Sequence, residues 1–239
     1  MKKLHVSILL IACSGFLSAQ ISNAALPGSG LLGIEYSDIS VINSKVKPSG
    51  IRNVESSYPA IKGSAYLHDE RINATVISND GIIIKDLPMI IDLYAGEFIA
   101  TDTSGTDIVL DAALYNEIIF PYEGKNLSFK KLNPEKPNKF YEVLYNDDGI
   151  IFLKDHYVTV KEGTNSGLAK TDTKFSRRTA YYVKYGKSEF TKVKLKKKSV
   201  LSAFSRKVSS SMHDFAKRHK LDLKSEEDFV NFFLEYSTR

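Results

Sequence analysis

Beyond the N-terminal residues, the side chains best suited to acid–base or metal chemistry are four isolated histidines: His68, His156, His213 and His219. None belongs to the helical histidine pair with a glutamate that binds zinc, and the sequence contains neither a Gly-x-Ser-x-Gly elbow nor a phosphate-binding loop. His213 and His219 are six residues apart, so a single helix does not bring them to one face. These motifs therefore predict no catalytic residue, no metal ligand and no cofactor. A site assembled from residues distant in sequence stays open.

Acidic residues occur at three places where either catalysis or local structure could require them. The stretch from Asp102 to Thr106 is similar to an aspartic-protease loop, but such loops place glycine two residues after the aspartate, and serine stands there in this chain. We interpret this stretch as a turn. Asp147-Asp148 precede a glycine at a predicted hairpin, and Glu226-Glu227 open a predicted helix, where carboxylates have structural roles.

Basic residues are concentrated in one part of the sequence. The chain has a net charge of +5, and residues 174–220 contain 15 of its 33 lysines and arginines. The same range holds only two acidic residues, Glu189 and Asp214. This imbalance predicts a locally positive surface.

The densest basic run lies at the end of the predicted sheet. In a strand, alternate side chains share a face, so Lys192, Lys194 and Lys196 would point outward and Val193 and Leu195 inward. This basic segment continues onto the first predicted helix. Its seven cations are Lys192, Lys194, Lys196, Lys197, Lys198, Arg206 and Lys207. The segment either binds anions or protects an exposed sheet edge against aggregation.

The first residues are typical of a bacterial secretory leader. A Lys-Lys pair precedes an apolar stretch from Val6 to Leu17, and small residues suited to cleavage follow at Ala19 or Ala24. A membrane span needs about 20 apolar residues, so this stretch is too short for an ordinary anchor. We predict a signal peptide over residues 1–19, with 24 as the alternative end, and an exported protein that is periplasmic or secreted.

Cys13 is the only cysteine of the chain and offers an alternative to plain cleavage. Leu10 to Cys13 match a lipoprotein processing box, in which the cysteine becomes a lipidated anchor. Apolar residues continue beyond it at Phe16 and Leu17, which favours cleavage near Ala19. Cleavage there leaves a mature chain without cysteine, whose stability must come from its core rather than from disulfides.

Short strands joined by tight turns dominate the middle of the chain. Asp80-Gly81 separates two β-branched runs, and this dipeptide favours the positive φ angles of a hairpin turn. Asp148-Gly149 predicts a second hairpin, and residues 185–188 a third. The pattern predicts an antiparallel β meander, closing into a roll, barrel or sandwich, over residues 61–197. A polar loop is expected within it from Lys161 to Arg178.

The segments before and after this β domain differ in composition and in the spacing of their apolar residues. Residues 20–60 are rich in Gly, Pro, Ser and Asn without a sustained apolar period, which predicts a flexible tether. Residues 198–239 have a helical period, which predicts two or three helices packed on the sheet and an α+β fold class. Ser225 and Asp228 resemble a capping box before the last helix. The apolar stripe of that helix contains Phe229, Phe232, Phe233 and Tyr236.

Three segments share short motifs with a known group of proteins. Gly63 to Glu70 is similar to a Gly-Ser-Pro-Tyr-Leu-x-Asp-Glu opening, and Phe140 to Leu144 matches a Phe-Tyr-Glu-Val-Leu strand. The tail from Lys196 to Tyr236 is similar to a lysine-rich strand followed by two helices with a Glu-Glu-Asp motif. Together the segments resemble a family of uncharacterised exported proteins common in Bacteroidota-type bacteria. The resemblance implies an envelope location and supplies no catalytic residue. The family's Pro-x-Arg-Tyr-Asn motif is replaced after Pro88.

Export without a compact polar motif favours a non-catalytic envelope protein with a binding or structural role. The alternative is an envelope hydrolase acting on glycan or peptide, with a site assembled from distant residues. A deep pocket lined by converging carboxylates or by a histidine–carboxylate pair would favour the hydrolase. An exported protein meets polyanions chiefly as anionic lipid and acidic glycan, so these are the expected partners, and nucleic acid is not.

Overall fold

The computed structural model describes residues 33–35, 48–51, 54, 57–166 and 169–238, with side chains for 54, 57–164 and 171–238. The predicted leader, including Cys13, lies outside the described residues. Within residues 20–60, for which the sequence predicts a tether, the described parts include two short strands that join the sheet.

Fourteen strands and three α-helices form the described fold, with a 3₁₀ turn at Ala112–Leu114. The strands are β1 (Gly33–Glu35), β2 (Pro48–Ile51), β3 (Ile72–Ser78), β4 (Ile83–Asp92), β5 (Glu97–Thr101), β6 (Asp107–Leu110), β7 (Tyr115–Tyr122), β8 (Lys125–Lys130), β9 (Tyr141–Asp147), β10 (Ile150–Lys161), β11 (Asn165–Ser166), β12 (Ala169–Lys170), β13 (Lys174–Tyr185) and β14 (Thr191–Val193). The helices are α1 (Lys197–Leu201), α2 (Arg206–Arg218) and α3 (Glu226–Ser237).

Twelve of these strands form one sheet, in the order β14-β13-β10-β9-β8-β7-β3-β4-β5-β6-β2, and β1 lies parallel beside β4. The pairings along that path are antiparallel. The path ends at β14 and β2, so the part of the chain that the structure describes forms an open sheet. The predicted α+β class, an antiparallel sheet followed by helices, is confirmed.

Tight turns set the register of the predicted hairpins. Gly81 has a φ of 84° between β3 and β4. Asp148 and Gly149 have φ values of 48° and 74°, the pair of positive angles that a two-residue turn between twisted strands requires. Glu123 and Gly124 repeat this geometry between β7 and β8, with φ values of 48° and 74°. The sequence pattern does not reveal this last hairpin, because β8 is short and largely polar.

One strand departs from the predicted boundaries, and another contains an irregularity. β13 begins at Lys174, so the predicted loop from Lys161 to Arg178 is wrong for its last residues, which pair with β10 instead. Their side chains are largely polar and exposed, which hides a strand from a pattern based on apolar residues. β4 is one continuous strand, and Asp86 within it has a φ of 56° beside a register shift.

Strand β10 links two apolar cores. Ile150 and Phe152 belong to a cluster that includes the helices, and Val158 belongs to a second cluster among the other strands. These residues are two or more positions apart on one face of β10, with Lys154 and His156 between them. The polar pair therefore occupies the boundary between the two cores.

The helical segment packs against the sheet. Phe229, Phe232 and Phe233 of α3 have no exposed surface, and Tyr145 Oη of β9 donates a hydrogen bond to Ser237 Oγ at 2.8 Å. The predicted capping box at Ser225 is present at the start of α3. Among the described residues, no helix combines the length and apolarity needed to cross a membrane.

Candidate functional site

A row of polar side chains crosses three strands on the face that carries the cores. The register places Lys154 of β10 opposite Glu142 of β9 and opposite Tyr181 of β13. His156 lies two residues beyond Lys154 on the same face. Glu226, in the first turn of α3, completes this polar row.

The polar row is held by short ionic and hydrogen-bonded contacts. Lys154 Nζ lies 2.8 Å from Glu226 Oε1 and 4.0 Å from Glu142 Oε2. Tyr181 Oη donates to Glu226 Oε1 at 2.6 Å. The lysine side chain is 16 % exposed, so an ionic partner is needed to offset its loss of hydration.

His156 and Glu142 form a histidine–carboxylate pair within the row. His156 Nε2 lies 2.5 Å from Glu142 Oε2, and the two side chains are 14 % and 9 % exposed. Thr179 of β13 is the cross-strand neighbour of His156. A carboxylate that orients an imidazole is an arrangement used in general base catalysis. The pair could therefore accept a proton from a substrate as well as stabilise the fold.

Burial and hydrogen bonding separate the pKa values of two members of the row. Burial, reinforced by the hydrogen bond to Glu226, raises the pKa of Tyr181 to about 12, so its hydroxyl stays protonated. Burial alone would raise the pKa of Glu226, but hydrogen bonds from Lys154 and Tyr181 outweigh it and lower that pKa. The carboxylate is therefore charged at neutral pH.

A cavity of about 660 Å³ opens beside the polar row. His68 lies in its wall, stacked on Tyr122 with ring centroids 3.8 Å apart. Burial, and then the positive charge of Arg177, lowers the pKa of His68. The side chains lining the cavity are those of Leu67, His68, Asp69, Glu70, Ile72, Leu93, Tyr122, Lys154, His156, Arg177, Arg178 and Thr179. Among the described residues, His156 of the histidine–carboxylate pair lines this cavity and Glu142 does not.

The basic segment differs from its predicted geometry. β14 ends at Val193, so Lys194 and Lys196 lie beyond the strand, and the prediction that they share a strand face with Lys192 is wrong. The chain leaves the sheet there and enters α1 at Lys197. Val193 and Leu195 do face the helical core, as expected.

Most cations of the basic segment have no ionic partner among the residues that the structure describes. Lys192 Nζ lies 3.0 Å from Glu135 Oε1, a contact that raises the pKa of the lysine. Within the described part of the chain, the other six cations form no ion pair. Lys194, Lys196, Lys198, Arg206 and Lys207 are exposed, and Lys197 is half-buried.

The remaining candidate residues have local roles. Asp102 accepts hydrogen bonds from the backbone of Ser104 and Thr106, both at 2.8 Å, in the turn between β5 and β6. The Ser104 hydroxyl is the main cause of its lowered pKa. This confirms the turn rather than a protease loop. His213 is exposed on α2, and His219 ends that helix with its ring 4.2 Å from that of Phe215.

The polar row is the feature that motif searching misses. Glu142 and Glu226 are far apart in sequence, so no short pattern contains both. A local signal does exist, because Lys154 and His156 occupy alternate positions between the buried residues Phe152 and Val158. Polar residues at inward positions of a strand indicate a buried network or a site.

The described residues contain no group of three or more histidines, cysteines, aspartates or glutamates arranged to hold a metal ion. Comparisons of the chain with protein-family models, with curated proteins and with solved structures found no match.

Proposed function

We propose that the chain is an exported, non-catalytic envelope protein that binds polyanions through its basic segment. The observation that carries the proposal is the absence of ionic partners for six of its seven cations within the described residues. The cations succeed one another along β14, α1 and the start of α2. Uncompensated positive charge of this density attracts anionic surfaces.

The positions of these cations on the helices support a binding role. Arg206 and Lys207 occupy the first turn of α2, which contains no acidic residue. Positive side chains at a helix N-terminus oppose the helix dipole, at a cost of about 0.3–1 kcal/mol each. Lys217 and Arg218 in the last turn of the same helix are favourable there. Helix stability therefore accounts for Lys217 and Arg218 at the C-terminal end of α2. It does not account for Arg206 and Lys207 at the N-terminal end.

The alternative, protection of a sheet edge, accounts for part of the segment. β14 is the last strand of the path, and Lys192 on it is suited to discourage pairing with another chain. Lys197 and Lys198 lie on α1, and Arg206 lies on α2. Protection of a sheet edge does not explain the cations on these helices, because they lie outside the sheet.

Sedimentation with lipid vesicles tests the proposal. We expect the protein to bind vesicles containing anionic lipid at about 0.1 M salt, to bind them weakly at about 1 M, and not to bind neutral vesicles. Each lysine near an anionic membrane contributes about 1 kcal/mol, so replacing Lys196, Lys197 and Lys198 by glutamine should weaken binding about 100-fold. Immobilised polygalacturonate in place of vesicles distinguishes acidic glycan from lipid.

A matched variant separates local from overall charge. Replacing Lys85, Lys125 and Lys187 by glutamine removes the same charge from exposed positions outside the basic segment. This variant should bind as the wild type does. Equal, negligible association of the wild type with anionic and neutral surfaces would contradict the proposal, as would equal losses in the two triple variants.

Export rests on the N-terminal residues and has its own test. The Lys-Lys pair, the apolar stretch and the small residues at Ala19 and Ala24 support it, and the resemblance to exported proteins agrees with it. Intact-mass measurement of protein from a bacterial envelope should show a chain that begins close after Ala19. A mass with acyl chains on Cys13 would instead establish a lipoprotein.

A second candidate function, hydrolysis of envelope glycan or peptide, is favoured by the histidine–carboxylate pair beside the cavity. Against it, Glu142 is also close to Lys154 and does not line the cavity wall. If the chain hydrolyses peptidoglycan fragments, His156→Gln and Glu142→Gln should each abolish product formation. Activity that persists in both variants would exclude this pair as the catalytic centre.

A further inference from the structure

The outer edge of strand β13 is only partly covered in the described part of the chain. β14 pairs with β13 at residues 181–183 alone, whereas β10 pairs with β13 along its whole length. At the other end, Phe175 N–H donates to Lys62 O at 2.9 Å. Between these two contacts lie residues 176–180, termed here the edge gap. Among the described residues, no strand pairs with the edge gap on that side.

The backbone groups of Arg177 and Thr179 face this open side. Gly186 N–H donates to Gly149 O at 2.7 Å, and these two residues lie directly opposite each other in the register of β10 and β13. In an antiparallel pair every second pair of residues is hydrogen-bonded, so Arg178 bonds to β10 and its two neighbours do not. Two N–H donors and two C=O acceptors therefore point into the edge gap.

The chain leaves this edge at the point where it would begin to fill the gap. Residues after Val193 would continue beside β13, but Lys194 N–H donates to Ser199 Oγ at 2.9 Å instead. Residues 177–179 are all exposed, so no other described element covers them. Five residues of a strand span about 17 Å, which gives room for an extended segment of similar length.

The charge along the edge gap is positive. β13 contains no acidic residue, and Lys174, Arg177 and Arg178 lie in or next to the gap. Within the described residues Arg178 has no ionic partner, and Arg177 Nη2 is 3.9 Å from Asp69 Oδ1 with both side chains more than half exposed. Opposite charges on adjacent strands attract and like charges repel. The edge therefore favours an acidic strand and disfavours a second copy of this chain, in which arginine would meet arginine.

The edge gap adjoins the cavity of about 660 Å³ described above. Arg177 and Thr179 line this cavity on the face of the sheet that carries His156, and Arg178, which points to the other face, lines it too. A cavity lined by successive residues of β13 extends to the edge of that strand. When a peptide adds to a sheet edge, its backbone supplies affinity and pockets for alternate side chains supply specificity.

We propose that the edge gap is a docking site for an extended acidic peptide segment of a partner protein. The segment adds to β13 as a further strand, with its backbone hydrogen-bonded to Arg177 and Thr179 and its carboxylates close to the arginines. One of its side chains enters the cavity. This inference is independent of the proposed polyanion binding, because no cation of the basic segment lies in the edge gap.

Amide hydrogen exchange of the full chain tests the proposal, with a short peptide in which glutamate alternates with threonine. In the free protein the amide of Arg178 should exchange slowly and those of Arg177 and Thr179 rapidly. A free peptide concentration about ten times Kd should slow exchange at Arg177 and Thr179 about tenfold, because only unbound protein exchanges, and leave Arg178 unchanged. Binding without this slowing would place the peptide elsewhere, such as on the basic segment, and would overturn the inference.

Two matched peptides separate strand pairing from charge. Methylation of every backbone nitrogen keeps the glutamates and removes the amide donors, so this peptide should not slow the exchange of Arg177 or Thr179. Lysine in place of each glutamate keeps the backbone and reverses the charge, so this peptide should not bind at the edge gap. Equal binding of the methylated peptide would overturn strand addition, and equal binding of the lysine peptide would overturn the acidic partner.

Substitutions at the edge gap have matched controls. Thr179→Pro removes one outward donor and leaves Arg178 and Ala180 bonded to β10, so the affinity for the glutamate peptide should fall about tenfold. Thr179→Ala keeps the donor and should change the affinity less than about twofold. Arg177→Gln alters no backbone group and should weaken binding several-fold, unlike Lys85→Gln at an exposed position outside the gap.

Protection of the edge against aggregation is the competing explanation for the arginines. It predicts that the wild type does not bind the glutamate peptide and that Arg177→Gln self-associates, which sedimentation velocity would detect. That result would overturn the docking site. Unchanged peptide affinity in both Thr179→Pro and Arg177→Gln would overturn it as well.

Discussion

Lys154 Nζ lies 2.8 Å from Glu226 Oε1, so strand β10 of the sheet is joined by an ion pair to the first turn of the last helix. The two residues are 72 positions apart in the sequence. Around this contact the side chains of Phe152 and Phe229 are fully buried, with ring centroids 6.2 Å apart. The ion pair thus lies at the edge of an apolar contact, where partial burial strengthens it and makes the loss of either partner costly.

Glu226→Gln should destabilise the protein through Lys154. The substitution leaves a lysine that is 16 % exposed without its closest anion, while Glu226 itself is 32 % exposed. We expect a loss of about 1–3 kcal/mol, between the values for exposed and for buried pairs. Glu227→Gln is the matched control, because Glu227 lies in the same helical turn and is exposed. Urea unfolding measures both, and equal losses would show that the helix dipole rather than Lys154 is responsible.

The stability that Glu226 contributes should depend on pH in a defined direction. Burial opposes ionisation of this carboxyl, but hydrogen bonds from Lys154 and Tyr181 outweigh burial and lower its pKa from the ordinary value of 4.5. A carboxyl with a lowered folded-state pKa stabilises above its unfolded-state pKa and loses that contribution as the pH falls through the folded-state value. The difference in unfolding free energy between wild type and Glu226→Gln should therefore be constant near about pH 7 and shrink below about pH 4. A difference that grows on acidification would contradict the assignment.

Local chemistry explains which elements the sequence predicts. Asp148-Gly149 and Asp80-Gly81 specify hairpins because their turns need positive φ at Asp148, Gly149 and Gly81, whatever the rest of the chain does. The capping box of α3 is equally local, with Ser225 and Asp228 bonding each other's backbone. Such features need no knowledge of distant residues.

The candidate sites depend on contacts that no local pattern contains. The polar row requires β9, β10, β13 and α3 to come together, and its members are drawn from residues 142–226. The Glu135–Lys192 ion pair likewise requires the loop of residues 135–139 to lie near β14, and no local pattern predicts that contact. Strand alternation predicts which residues of β10 share a face, but not which element covers that face.

Ser225→Ala should weaken the last helix through its cap. The Ser225 hydroxyl accepts a hydrogen bond from the backbone of Asp228 at 3.1 Å, and its loss leaves one donor of the first turn unpaired. We expect a cost of about 1 kcal/mol in unfolding free energy. Ser210→Ala on α2 is the control, because Ser210 is an exposed interior helix position, where alanine is neutral or stabilising. Equal stability of the two variants would mean that the cap does not contribute.

Phe232→Ala should show whether the C-terminal helices are integral to the domain. Phe232 has no exposed surface, and its ring lies 5.7 Å from that of Phe215 and 5.5 Å from that of Phe233. Replacing a buried phenylalanine by alanine costs about 3–5 kcal/mol, because apolar contacts are lost and a cavity remains. Leu234→Ala, two residues along the same helix, removes a side chain that is 53 % exposed and should cost far less.

Removal of the whole of α3 should have a larger effect than a single substitution, because α3 shares its core with the sheet. Tyr145, Ile150 and Phe152 of the sheet belong to the same cluster as the phenylalanines of α3. Truncation after Lys220 should therefore lower the melting temperature of the whole domain and expose apolar surface of the sheet. A truncated chain that melts at the wild-type temperature, with Phe232→Ala equally neutral, would mean that the helical segment does not stabilise the sheet.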